Sequence, residues 1–236
     1  MSETILQQAR QFLIESLRGK EVVYETIHPW RKSWQFNVLH SFRVEAYAQQ
    51  ILADEGNLLS DENVTLVRLA AILHDISRVD GTPKHAERSA AIIRKWLEMN
   101  PPLAKQIGDV EKLIELIETH SEKDFHDNDV RRAVLKDADL LDETGAMSIL
   151  MAISWLDRAS PFFPYHLLER LATTEIQSCD EQIKQLNTAS ARKLLAQRRE
   201  FIQSFITQLS AEMRGCFTTF ERLNVETSES SPVPTQ

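Results

Sequence analysis

The 236-residue chain carries 27 Lys and Arg against 35 Asp and Glu, a formal charge of −8 with histidine neutral. Such a surplus of carboxylates argues against a dedicated nucleic-acid-backbone binder, which needs a basic footprint; the length suits one globular domain with ample chain to bury a core. Its six glycines stand far apart, so no GxGxxG, GxxxxGK[ST] or GxSxG can be written, and dinucleotide-binding, P-loop and nucleophile-elbow chemistry drop out.

Apolar residues recur at helical spacing almost throughout, which predicts an all-α fold. Ile5, Leu6, Ala9, Phe12, Leu13 and Leu17 stripe a first helix over about Glu3 to Arg18, with Gly19 placed for a left-handed stop. A second pattern, Trp34 to Glu55, closes at Gly56. Ser60 and Asp61 cap a third, whose run Val64 to Leu73 is too apolar for a surface helix and belongs in the core. Further helices are expected over His85–Met99, ended by Asn100-Pro101-Pro102, then Asp109–His120, Asn128–Glu143, Ala146–Leu156, Tyr165–Gln177 and a long one from Thr188 to about Leu223. Val225–Gln236, rich in Ser, Thr, Glu and Pro, lacks the apolar residues to repay ordering and reads as a disordered tail behind a single domain over 1–224. Cys179 and Cys216 suggest neither a disulfide framework nor a zinc site. With no basic leader ahead of an apolar core and no run of about 18 apolar residues, a cytoplasmic protein without a membrane span is expected.

Chance alone yields about 0.4 His-Asp dipeptides in a chain of this composition, so the dipeptide by itself carries nothing. His126-Asp127, in the polar stretch Glu122 to Asp129, reads as a solvated loop. His74-Asp75 differs, because it ends the apolar run Leu69-Ala70-Ala71-Ile72-Leu73 and so delivers both side chains to the interior. A buried imidazole and a buried carboxylate are costly without partners, and a divalent ion supplies one to both. Neighbouring helix residues point about 100° apart, so both reach one ion only where the helix ends, as Ile76-Ser77-Arg78 followed by Asp80-Gly81-Thr82-Pro83 allows. His40 and Asp139 are the other polar residues set in apolar-periodic helices, and the four together form an N₂O₂ set suited to Mn, Fe, Co, Ni or Zn, with Mg admitted.

The order His40 … His74-Asp75 … Asp139 resembles the H…HD…D pattern of the HD-domain metal-dependent phosphohydrolases, and the segments LHSFRV, LAAILHDISR and LKDADLLDETGA are similar to theirs. The likeness continues through His85 to Ala90, Glu118-Thr119-His120-Ser121 and Ser190-Ala191-Arg192-Lys193, covering about residues 35 to 212, and is greatest for the small single-domain bacterial subgroup that includes nucleotide pyrophosphohydrolases. The resemblance implies a helical bundle with His40, His74, Asp75 and Asp139 as metal ligands, Asp137 replacing Asp139 if the register shifts by two. It implies one divalent ion or two, and hydrolysis of a phosphoester or phosphoanhydride of a small phosphorylated metabolite, a nucleotide foremost. Some nucleotide monophosphatases of the superfamily carry a carboxylate three residues after the HD pair; this chain has Arg78, which turns the reading away from that activity.

Within that scheme Asp75 and His120 are the candidate catalytic groups, and Arg78, Lys84, His85 and Arg88 the candidate phosphate clamp. Arg43, three residues after His40, serves equally to orient a ligand or to pair with a structural carboxylate. His28-Pro29-Trp30-Arg31 and Phe162-Phe163-Pro164-Tyr165 read first as packing, with pocket walls the alternative, while Arg192, Lys193, Arg198 and Arg199 read as a solvated helix face. Three rivals stand beside the hydrolase, of which a processive nuclease is disfavoured by the charge of −8. Di-iron oxygenases on the same scaffold use H…HD…H…H…D, which His85 and His120 would complete, although His85 follows the pair by only ten residues. The other rival is a catalytically idle nucleotide-binding module. No nucleic-acid polymer or membrane partner is expected, and a homo-oligomer is left open.

Overall fold

The computed structural model describes residues 2–56, 58–122 and 126–214. Eleven α-helices are seen there: α1 (Ser2–Leu17), α2 (Trp34–Asp54), α3 (Asp61–Leu73), α4 (His85–Glu98), α5 (Pro101–Ile107), α6 (Val110–Thr119), α7 (Val130–Leu141), α8 (Ala146–Ser154), α9 (Phe163–Arg170), α10 (Ile176–Gln185) and α11 (Ala189–Met213). The fold is all-α; among the described residues the nearest thing to a sheet is one antiparallel bridge between Glu21 and Ser33.

The apolar α3 is the axis of the bundle. Leu66, Val67 and all of Leu69 to Leu73 are buried, and the helix packs on α1, α2, α6 and α7. Burying both sides of one helix requires that layer of neighbours, and it fixes where the chain emerges at His74. Ser60 caps α3 by accepting from the Asn63 backbone N–H, while Gly19 and Gly56 take positive φ angles of 74° and 77° past α1 and α2, where glycine adopts the left-handed turn without a Cβ penalty.

Two boundaries depart from the periodicity. Asn100-Pro101-Pro102 ends α4, yet the same prolines open α5, because the first turn of a helix has no intrahelical use for the missing N–H. The helix expected over Tyr165–Gln177 is α9, a π-helical turn at Leu171–Glu175 and α10, which runs on to Gln185; the polar Ser178, Asp180 and Glu181 hide that continuation. The final helix is seen to Met213, and the rest of its expected course to Leu223, the tail and Cys216 lie outside the described residues.

Two polar segments do more than face solvent. His126 is exposed as expected, but the Asp127 side chain is only 6% exposed and accepts from Lys136 Nζ at 3.1 Å and Arg132 Nε at 3.0 Å, so this half of the loop is an anchor. Arg198 likewise leaves the expected solvated face of α11: it donates to the Leu141 carbonyl and the Thr144 hydroxyl and lies 4.6 Å over the Tyr47 ring. Cys179 is a buried free thiol.

Candidate metal centre

α2, the end of α3, the start of α4, the end of α6 and the last turn of α7 bring six side chains to one point: His40, His74 with Asp75, His85, His120 and Asp139. His74 is fully buried and Asp75 and His120 nearly so. Each imidazole commits its Nδ1 outward. That of His40 lies 2.7 Å from Asp142 Oδ2, and those of His74, His85 and His120 lie 2.8, 2.8 and 2.6 Å from the carbonyls of Ala71, Thr82 and Ile117. An Nδ1–H donor leaves Nε2 as a lone-pair acceptor.

The four Nε2 atoms meet in two pairs, His40 with His74 and His85 with His120, each at 3.2 Å. Two lone pairs facing one another repel, and what satisfies them is a shared cation. Asp75 stands between the pairs with one oxygen for each: Oδ2 is 3.6 Å from His40 Nε2 and 3.9 Å from His74 Nε2, while Oδ1 is 3.3 Å from His85 and 3.5 Å from His120. Asp139 Oδ1 joins the first pair, 3.3 Å from His40 and 3.6 Å from His74. Donors bound about 2.1 Å from a common ion sit about 3.0 to 3.5 Å apart in octahedral or tetrahedral arrangements, close to the separations here. Asp75 Oδ1 is also a buried oxygen with no hydrogen-bond partner. The donor set thus fits divalent cations, by number, chemistry and spacing.

Electrostatics agree. Burial opposes protonation of His40, but Asp139, Asp142 and Asp75 outweigh it and hold its pKa up to about 9. For Asp75, burial opposes ionisation and is overcome by His74, His120 and His40, which keep the carboxyl below its ordinary range. Without an ion, the carboxylates favour a proton on His40, whereas burial holds His85 below its ordinary range.

Behind the donors stands a layer that orients them. Arg43 donates to both oxygens of Asp142, at 2.7 and 2.9 Å, and Asp142 holds the His40 ring. Asp142 was not singled out from the sequence; its signal is the three-residue spacing from Asp139, which places both on one side of the chain as α7 ends. Asp137 is turned away, accepting from the backbone and side chains of Asn187 and Thr188 at the start of α11.

A cavity of about 470 Å³ opens onto the cluster. Arg78 reaches it and lies against the His85 ring, with Nη1 3.2 and 3.3 Å from the two ring nitrogens. Arg31, from the loop read first as packing, also lines it, in a close ion pair with Glu143. Two of the expected phosphate contacts lie elsewhere. Lys84 is solvent-exposed beside Glu87, and Arg88 donates to the Gly81 and Pro83 carbonyls, bracing the turn before α4. Phe162 to Tyr165 line neither this cavity nor the one beside it. Tyr24, Phe36, Asn37, Gln182 and Gln185 also line it; the two glutamines lie beyond Gln177, where the helix expected from the periodicity ends.

The family model for the HD domain matches residues 38–144, the stretch that supplies all six converging side chains. The chain carries an HD domain. Solved structures with the same fold include the Lin1889 protein of Listeria innocua, at 18% identity and TM-score 0.55 over 91% of this chain and 98% of that one. A predicted HD superfamily hydrolase from an uncultured Thermotogales bacterium matches at 22% identity and TM-score 0.58, over 88% and 92%. Bacillus subtilis YpgQ, solved in complex with ADP, matches at 23% identity and TM-score 0.55, over 92% and 99%. No curated protein matches the sequence, and among the described residues no helix is long and apolar enough to cross a membrane.

Proposed function

We propose that this HD domain is a metal-dependent phosphohydrolase acting on a small phosphorylated metabolite, a nucleotide foremost, with a site for two divalent ions. One observation carries the reading: the Nε2 atoms stand in two close pairs with one Asp75 oxygen directed at each. His40, His74, Asp139 and Asp75 Oδ2 would hold one ion; His85, His120 and Asp75 Oδ1 the other. Ions so held would polarise a phosphoryl oxygen and acidify a water.

The protein's own part is preorganisation. Asp142 and the three backbone carbonyls fix the imidazole tautomers, so the lone pairs point inward before substrate arrives. Arg78 at the cavity wall places positive charge where a phosphoryl group gains negative charge. Arg31 is less free, being held by Glu143, and its role is to border the cavity. His120, a candidate catalytic group, has Nδ1 bound to the Ile117 carbonyl and Nε2 facing the cluster, and would act through that nitrogen as a ligand. The ADP bound to YpgQ, a protein of the same fold, supports nucleotides as the first substrates to try.

The six-residue set also keeps the di-iron oxygenase alive as a second reading, since His85 reaches the cluster despite its short spacing from Asp75. One experiment separates them. Metal-stripped protein is refilled in turn with Mn, Co, Ni, Mg and Zn and incubated with nucleoside mono- and triphosphates, with orthophosphate and pyrophosphate measured separately. Metal-dependent release from a nucleotide supports the hydrolase; silence across the panel, with iron in the purified protein and oxygen uptake, replaces it with the oxygenase.

A further inference from the structure

A second cavity, of about 760 Å³, adjoins the metal-facing one, and Tyr24 and Arg31 line both. Imidazoles, carboxylates, amides and guanidinium groups dominate the first; the second mixes the apolar and aromatic Val22, Val23, Ile27, His28 and Trp155 in about equal measure with the polar Glu25, Thr26, Arg31 and Lys32. Aromatic and apolar side chains beside polar groups that fix orientation are what a small-molecule site needs.

Trp155, the residue that caps the end of α8, is 59% exposed, so burial is not what holds it. Its ring is braced nonetheless. The Arg170 guanidinium lies 5.4 Å from its centroid and is itself held by Glu175 at 3.4 Å, while the His28 ring meets it edge-on, centroids 6.3 Å apart at 83°. His28 lines this cavity and is itself 5% exposed, packed behind the indole. Val23 and Ile27, also exposed, share the same wall. A braced indole with exposed ring surface, at a wall where apolar side chains alternate with Glu25, Arg31 and Lys32, suits a planar ring that carries hydrogen-bonding groups.

We propose that this second cavity receives the planar organic group attached to the phosphate, the base of a nucleotide, with Trp155 as its stacking platform and Arg31 at the divide between ring and phosphate. The inference rests on the nucleotide reading above and gives it a direction: phosphate toward His40 and Asp75, base past Tyr24 toward Trp155. A rival location for the base exists within the first cavity, at Gln182 and Gln185.

The test is equilibrium binding to the full-length chain, by calorimetry and tryptophan fluorescence, with ADP, phenyl phosphate and inorganic pyrophosphate as probes. Trp155→Leu should weaken ADP and phenyl phosphate by about tenfold, as loss of a stacking partner does, and leave pyrophosphate unchanged; Trp155→Phe should restore most of the loss. ADP affinity indifferent to Trp155→Leu but reduced by Gln182→Ala overturns the inference while the hydrolase reading stands. Absence of nucleotide hydrolysis with Trp155-dependent binding of the two ring compounds overturns that reading and leaves the cavity assignment in place. Ring compounds that bind no better than pyrophosphate, in wild type and variant alike, overturn the assignment.

Discussion

The chain contains two His-Asp dipeptides, and their fates differ because of what precedes them. His74-Asp75 follows the buried run of α3 and lands in the interior, where three other histidines and Asp139 converge on it. His126-Asp127 follows a polar stretch; His126 stays in solvent, and Asp127 turns inward to hold Lys136 and Arg132. The same two residue types thus join a donor set that fits a cation in one place and form an ion-pair anchor in the other. What decides is whether the imidazole is carried inside along with the carboxylate.

Substitutions can break that contrast. Asp75→Asn is expected to have the largest effect, since one carboxylate faces both imidazole pairs: bound metal falls below one ion per chain by elemental analysis, and turnover drops by about a thousandfold or more. Asp127→Asn should do the opposite. It leaves the 4%-exposed Lys136 without its carboxylate, costing about 3 kcal/mol in denaturant unfolding, while metal content and activity per folded molecule hold.

The anchor also has a pH signature. Burial works against ionisation of Asp127, but the Asp129 backbone N–H, Lys136 and Arg132 more than compensate and lower its pKa. A lowered folded-state pKa means the stabilisation is present above the ordinary carboxylate pKa of about 3.9 and is lost as pH falls through the lower native value. Wild type should therefore lose stability below about pH 4 more steeply than Asp127→Asn, as denaturant midpoints across pH 2 to 6 would reveal.

Asp142→Asn sharpens the comparison from outside the cluster. Its carboxylate fixes the His40 tautomer and is fixed by Arg43, so metal affinity should fall about 10- to 100-fold with the fold intact, measured by competition with a chelator. His126→Ala should change stability by less than about 0.5 kcal/mol and metal content not at all.

The sequence made α3 legible because a helix apolar on every side admits only a central position, and with it the burial of His74-Asp75. Asp139 could be separated from Asp137 only in the structure, where Asp139 faces His40 and Asp137 holds the Asn187-Thr188 segment that leads into α11. Periodicity carries no information on which of two buried carboxylates, two residues apart, turns toward which neighbour. The convergence of His85 and His120 was open for the same reason: each sits at a helix end, and only the packing of α4 on α6 sets their rings 5.1 Å apart. Arg31 and the second cavity depend on a loop whose course hydrophobic spacing cannot predict. Lys84 and Arg88 follow the HD pair closely in sequence, yet the left-handed backbone at Lys84 and the carbonyls taken by Arg88 direct both away from the cavity.

The most direct test of the two-ion site is the stoichiometry of manganese bound to metal-stripped protein at saturation, by elemental analysis paired with electron paramagnetic resonance, in wild type and in His120→Ala. The account predicts two ions per chain with a spin-coupled signal in wild type, and one ion with an uncoupled signal in His120→Ala. A single uncoupled ion in wild type, retained unchanged when His120 is removed, would contradict it.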